Sequence, residues 1–269
     1  MPRTADILVN TADIELWPAR LLRARGNRDA RVLARARHVL RRKRDGRYLA
    51  AVLPEGLLSL VPRLAREAGI DEALAALDTV PVHRRAGLER VPSLPLAGLE
   101  ARLEALGLDH VYGERTGLAL VAEPAWLSLA GFDRYRRPLW LHAHAGPAWA
   151  AMRAAAHRDG VLLEAISGYR SHAYQLGIFE RKLARGLALE EILQVNAAPG
   201  YSEHHSGLAL DIGTPGEPPA ESSFEDTAAF AWLGANAARH GFQMSYPRDN
   251  PHGIVYEPWH WRYSPDDTA

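Results

Sequence analysis

Cysteine is absent from the 269-residue chain. Disulfides and thiolate metal sites are therefore excluded, and any metal must be held by His, Asp or Glu. Net charge is lacking too: 32 basic residues balance 32 acidic ones, so the whole molecule offers no field to attract nucleic acid or an anionic membrane. No apolar run approaches the roughly 18 residues of a membrane-spanning helix. The opening stretch MPRTADILVNTADIELWPAR has no basic segment leading into an apolar run and a small-residue cleavage site, so the expected location is the cytoplasm. Internal repeats and low-complexity tracts are also missing. What is present is a composition 47% hydrophobic, enough for a real core in one or two domains.

The first hundred residues differ from the rest. From Arg20 to Arg47 basic residues far outnumber Asp29 and Asp45, while Leu21, Leu22, Val32, Leu33, Val39 and Leu40 recur at approximately helical spacing. This pattern reads as the solvated face of an arginine-rich helical region; without interleaved stacking aromatics it does not read as a nucleic-acid surface. Pro54–Gly69 and Leu96–Gly107 are predicted helices closed by glycine. The proline-containing stretch Leu77–Pro95 reads as a linker. Residues 1–95 are thus expected to form a mostly helical accessory region.

Beyond Leu108 the pattern alternates. Strands are predicted over Thr116–Ala122, Val161–Arg170 and Gly253–Tyr263, and helices over Gly146–Gly160, Ser171–Gly186 and Phe224–Gly241. Trp149, Met152 and Ala156 should share a buried helix face, and Ser171 should cap the helix that follows it. Without a repeated βαβ spacing, the expected class is α+β, a small antiparallel sheet with flanking helices.

The stretch SEHHSGLALDIG, Ser202–Gly213, places two adjacent histidines ahead of one aspartate. On a strand, Leu208 and Leu210 fall on one face and Ala209 and Asp211 on the other, which turns Asp211 away from the leucines. A hydrolytic zinc site needs three such ligands, an open position for water, and a nearby general base. His204 can join Asp211, and the third ligand and the base are best sought in EPWHWRY, at His260 and Glu257. Three residues apart on a regular strand, those two would face opposite ways, so the assignment requires a bend at Pro258. His142 and His144 could also chelate, but no carboxylate or third histidine lies near them in sequence, and they read as surface histidines.

The blocks SEHHSGLALD and EPWHWRY, with SGYRSHAYQ upstream, resemble the motifs of the VanY-like D-alanyl-D-alanine carboxypeptidases. These belong to a class of zinc peptidases that includes lysostaphin-type enzymes and the hedgehog signalling domain. The resemblance covers roughly residues 108–265, and the carboxypeptidase domain is placed at 108–269. It implies that His204, Asp211 and His260 bind one zinc ion, His205 being a neighbour, that Glu257 is the catalytic base, and that Arg170 faces the substrate carbonyl. Ser202 and Gln175 match positions that contact the peptide. The implied substrate is a peptidoglycan stem peptide or muropeptide losing a terminal D-alanine. L,D-carboxypeptidase action on tetrapeptides is the first expectation, with D,D-carboxypeptidase action close behind. An endolysin-type endopeptidase and a non-catalytic, hedgehog-like binding module are the alternatives. No nucleic-acid or membrane partner is expected.

Overall fold

The computed structural model describes residues 6–78, 91–108 and 110–264. The chain divides into two compact units, one of residues 1–95 with Pro124–Leu129, the other of Leu96–Glu123 with Ala130–Ala269.

The first unit is built on an antiparallel sheet. Its strands are β1 (Ile7–Asn10), β2 (Ile14–Pro18), β3 (His38–Arg42), β4 (Tyr48–Leu53) and β5 (Gly56–Ser59), joined by the first part of β6 (Trp126–Phe132) beside β1. A short helix α1 (Asn27–Leu33) precedes β3, and α2 (Ile70–Asp78) helps to cover a core of Leu16, Leu40, Leu49, Ile70 and Ala73. The mostly helical expectation for this region is overturned. Adjacent apolar pairs such as Val39-Leu40 fit a strand as readily as a helix, and cross-strand pairing decides in favour of the strand. Asp45-Gly46 closes the β3–β4 hairpin with Gly46 at φ 68°, and Pro54-Glu55 connects β4 to β5 inside the stretch expected to be helical. The helix there begins only after Gly69. Arginines of this region meet acids of the same unit, Arg41 with Glu15 at 2.7 Å and Arg42 with Glu67 at 2.6 Å. Most of the Leu77–Pro95 linker lies outside the described residues.

The second unit carries an antiparallel sheet ordered β10 (Phe242–Met244), β11 (His260–Tyr263), β9 (Ala209–Gly213), β8 (Glu164–Ser167). This is the expected small sheet with flanking helices. Strand β7 (Pro138–Leu141) leads to helix α5 (Ala145–Arg158), which presents Trp149, Met152 and Ala156 to a core that includes Leu210, Ile212, Phe224 and Phe242. Helix α6 (His172–Ala184) starts where Ser171 Oγ accepts the Tyr174 amide at 3.1 Å. Helices α3 (Leu99–Ala105), α4 (Tyr112–Thr116) and α7 (Leu189–Gln194) surround a second core of Leu108, Tyr112, Tyr201, Tyr246 and Ile254; α8 (Ala228–Asn236) follows β9. The predicted Thr116–Ala122 strand does not form: α4 ends at Thr116, Gly117 turns left-handed at φ 65°, and Val121 instead bonds the Gly200 carbonyl at 2.7 Å. Of the predicted Gly253–Tyr263 strand, only His260–Tyr263 is extended in the sheet. Two registers position the site: His260 stands opposite Asp211 across β11–β9, and Ser167 opposite Asp211 across β8–β9, where the β8 register shifts between Ala165 and Ser167. Among the described residues no helix is long and apolar enough to cross a membrane.

Candidate metal centre

All of β9 is buried, and Asp211 projects on the side opposite Leu210 and Ile212, as strand alternation requires. The turn Glu203–Ser206 ahead of it, closed by left-handed Gly207 at φ 71°, folds His204 back over the sheet. On the other flank the chain bends at Pro258, as the spacing demanded, and the His260 amide bonds the Glu257 carbonyl at 3.1 Å. Proline suits the second position of such a turn. Glu257 and His260 therefore face the same cleft, with the Glu257 carboxylate 3.8 Å from His260 Nδ1.

One ligand atom each from His204, Asp211 and His260 lies within 4.8 Å of the others, the one such group of three among the described residues. The chemistry of the set fits a divalent metal. His204 Nδ1 sits 2.7 Å from the Gly168 carbonyl, which leaves Nε2 to face Asp211 Oδ1 at 3.3 Å. His260 Nε2 sits 2.8 Å from Glu203 Oε2, which leaves Nδ1 to face the same Asp211 oxygen at 3.2 Å. Each ring is thus held through one nitrogen by an acceptor and offers the other to the site, the arrangement that orients histidine ligands. Two nitrogens and one carboxylate, with a cleft beside them, match a catalytic zinc set with an open position.

Burial and pairing act in opposition on the charges of the group. Burial opposes charge on His260, but hydrogen bonds to Asp211 and Glu203 outweigh it and push its pKa up to about 10. Burial likewise opposes the Asp211 carboxylate, yet His204 and His260 hold it well below the usual range. Burial lowers His204. Burial and then the Asp211 charge, only partly offset by His260 and Arg170, push Glu257 up to about 7. A carboxyl group with that value near neutral pH can both accept and return a proton.

Arg170 closes the site from the loop after β8. Its Nη1 donates to Gln175 Oε1 at 2.9 Å and its Nη2 lies 3.8 Å from Asp211. Gln175, fully buried on α6, spends its amide nitrogen on the Ala197 carbonyl at 2.9 Å, so its side chain holds Arg170 in place. His205 also acts from behind: its Nδ1 bonds the Arg170 carbonyl at 2.6 Å and its Nε2 accepts the Gly200 amide at 3.0 Å. Ser202 is buried and lines the cleft, whose volume is about 310 Å³. Trp259 lines it too, whereas Tyr256 stacks under Arg248 at 4.1 Å. His142 and His144 stack on each other at 5.3 Å and belong to no group of three possible ligands. His172 bonds the Val121 carbonyl at 2.7 Å and His252 the Thr116 carbonyl at 2.8 Å.

Sequence reasoning missed three residues here. Glu203 carries no local signal, because nothing near it in sequence shows that His260 arrives to meet it. Tyr246, whose ring lies 4.8 Å from the His260 ring, has no motif around it. Lys182 lines the cleft from α6, and its seven-residue spacing from Gln175 could have flagged it.

The family model of VanY, D-alanyl-D-alanine carboxypeptidase, matches residues 138–266. The bifunctional D-Ala-D-Ala dipeptidase and carboxypeptidase VanXYC of Enterococcus gallinarum is 34% identical over 148 residues, 52% of this chain and 75% of that protein. The Bacillus subtilis protein YodJ is 35% identical over 136 residues, and there the match spans only 49% of either chain. Among solved structures, the LdcB LD-carboxypeptidase aligns at 33% identity with a TM-score of 0.46, over 49% of this chain and 64% of that one. The match to most of VanXYC, on top of the family model, is sufficient: the chain belongs to the VanY family of D-alanyl-D-alanine carboxypeptidases.

Proposed function

We propose that the second unit is a zinc-dependent carboxypeptidase that removes a terminal D-alanine from peptidoglycan stem peptides. The observation that carries this reading is the two-histidine, one-aspartate group with both outer ring nitrogens anchored, set beside the Glu257 carboxyl group 3.8 Å from His260 Nδ1. In this reading His204, Asp211 and His260 hold one zinc ion. When bound, zinc supplies Lewis-acid chemistry, acidifying water and polarising a carbonyl. Glu257 takes the proton from the attacking water on its carboxylate and hands it to the leaving amine nitrogen. Arg170, locked by Gln175 and His205, presents its guanidinium to the carbonyl oxygen as negative charge develops there. Ser202 lies along the cleft wall, where it can hydrogen-bond the peptide.

The test is mass spectrometry of the protein incubated with stem tetrapeptide and pentapeptide in parallel, with a chelator and Glu257→Gln as controls. Zinc-dependent loss of one alanine supports the reading. Loss from the tetrapeptide identifies L,D-carboxypeptidase action, and loss from the pentapeptide alone identifies D,D action. Glu257→Gln should bind zinc with the wild-type stoichiometry while losing about 10²–10⁴-fold in turnover, the usual contribution of a general base. No release of alanine from either peptide by zinc-loaded protein would refute the proposal.

A further inference from the structure

The cleft contains a cation for which the proposed chemistry has no use. Besides Arg170 and His260, the charged residues lining it are Lys182, Asp211 and Glu257. Arg170 is already engaged by Gln175 and lies 3.8 Å from Asp211. Among the described residues Lys182 forms no ion pair, and the charges that act on it most are those of Arg170 and Arg185, both cations. Burial and these two like charges lower its pKa, a cost that an incoming anion would offset.

Its place on α6 sets its reach. Lys182 follows Gln175 by seven residues, two turns, and so lies on the same helix face about 10 Å further along the axis. A lysine stem reaches roughly 6 Å and leans towards the helix N-terminus, which brings the ammonium to about 4–5 Å from the level of Gln175 and the guanidinium it holds. In a peptide cut one residue from its end, the terminal carboxylate carbon lies within about 4 Å of the scissile carbonyl carbon. The ammonium is thus within reach of a terminal carboxylate whose neighbouring scissile carbonyl faces Arg170.

We propose that the Lys182 ammonium pairs with the terminal carboxylate of the substrate and thereby restricts the site to removal of a single C-terminal residue. This inference rests on the proposed function and names the group that makes it an exopeptidase. Lys182 touches the substrate but takes no part in bond breaking.

The test uses the zinc-loaded full chain carrying Glu257→Gln, so that peptides bind without being cut. Calorimetry compares the stem peptide that wild-type protein cleaves with the same peptide as its C-terminal amide. The free acid should bind at least about tenfold more tightly, as expected for a charge-assisted pair. Adding Lys182→Met should reduce that preference below about threefold while leaving affinity for the amide unchanged, and Lys182→Arg should retain most of it. An undiminished preference in the Lys182→Met protein would overturn the assignment, as would equal loss of affinity for acid and amide. So would a variant that instead loses discrimination between a carboxylate-bearing and a lysine side chain at the third position of the stem. Failure of wild-type protein to cleave any stem peptide is a different result and would sink the proposed function itself.

Discussion

Zinc titrated into chelator-treated protein at pH 7, 8 and 9 should bind about tenfold more tightly with each unit. The cause is His260, whose pKa is pushed up to about 10 by its bonds to Asp211 and Glu203 against the effect of burial. A histidine ligand must be neutral at the coordinating nitrogen. At pH 8, two units below that value, only about 1% of His260 is ready, so the apparent affinity is about a hundredfold below its alkaline limit. Glu203→Gln keeps an acceptor for His260 Nε2 but removes one of the two carboxylates that raise its pKa, so the dependence on pH should flatten. A chromophoric chelator in competition would give the affinities. Calorimetry in two buffers of different ionisation enthalpy should show about one proton released per zinc at pH 8. The sign for stability runs the same way. A pKa raised in the fold gives stability that is complete below about pH 6.5 and is lost as pH rises through about 10, so the metal-free protein should weaken on the alkaline side. Affinity that stays constant from pH 7 to 9, or an unchanged slope in Glu203→Gln, would refute the reasoning.

Other outcomes follow from the groups behind the site. Gln175→Leu leaves the Ala197 carbonyl and an Arg170 N–H without partners in a buried place, which should cost about 2–4 kcal/mol in denaturant unfolding and lower kcat by more than it raises KM. Gly168→Ala would set a methyl 2.7 Å from Leu139 Cδ1 and 3.0 Å from the Trp140 carbonyl. The Leu139 side chain or the Gly168 backbone must give way, so stability should fall by about 1–3 kcal/mol, and because the Gly168 carbonyl holds His204, zinc affinity measured by chelator competition should fall with it. Burial holds His205 well below its usual pKa. As pH drops below about 6.5 the unfolded chain takes up the proton first, so metal-free protein should lose up to about 1.4 kcal/mol per unit, an acid slope that His205→Gln should reduce in unfolding curves.

The site was legible in the sequence chiefly through the resemblance of three blocks to the VanY family, which alone singles out His204 over His205 and gives Arg170 a role. His204, Asp211, Glu257, His260 and Arg170 all face one cleft, and even the required bend at Pro258 could be named in advance, because strand alternation allowed no other way to align Glu257 with His260. Of the groups that hold those residues, the sequence marks Gln175 as a peptide contact and His205 as a neighbour of the ligands, but not the partners either one meets. Glu203, Gln175 and His205 act through partners 57, 5 and 35 residues away, and nothing in their immediate neighbours announces those meetings. The first unit was misread for a related reason. Its arginines and leucines are good helix formers, and only the pairing of β2, β3 and β4 with one another makes them strands. The Asp45-Gly46 and Pro54-Glu55-Gly56 turns were the signals that deserved more weight.

The placement of His260 directly opposite Asp211 carries a consequence for how this protein can fold and change. Sliding β11 by one residue would carry the imidazole to the far side of the sheet and bring Trp261, a core side chain, to the cleft in its place. A metal ion held by both groups would therefore stabilise only the alignment of the two strands that brings them together. A single-residue insertion or deletion within β9 or β11 would separate the two groups unless a local bulge took it up, as the irregularity between Ala165 and Ser167 does in β8. Changes of length are therefore better accommodated in the connections than in the paired strands.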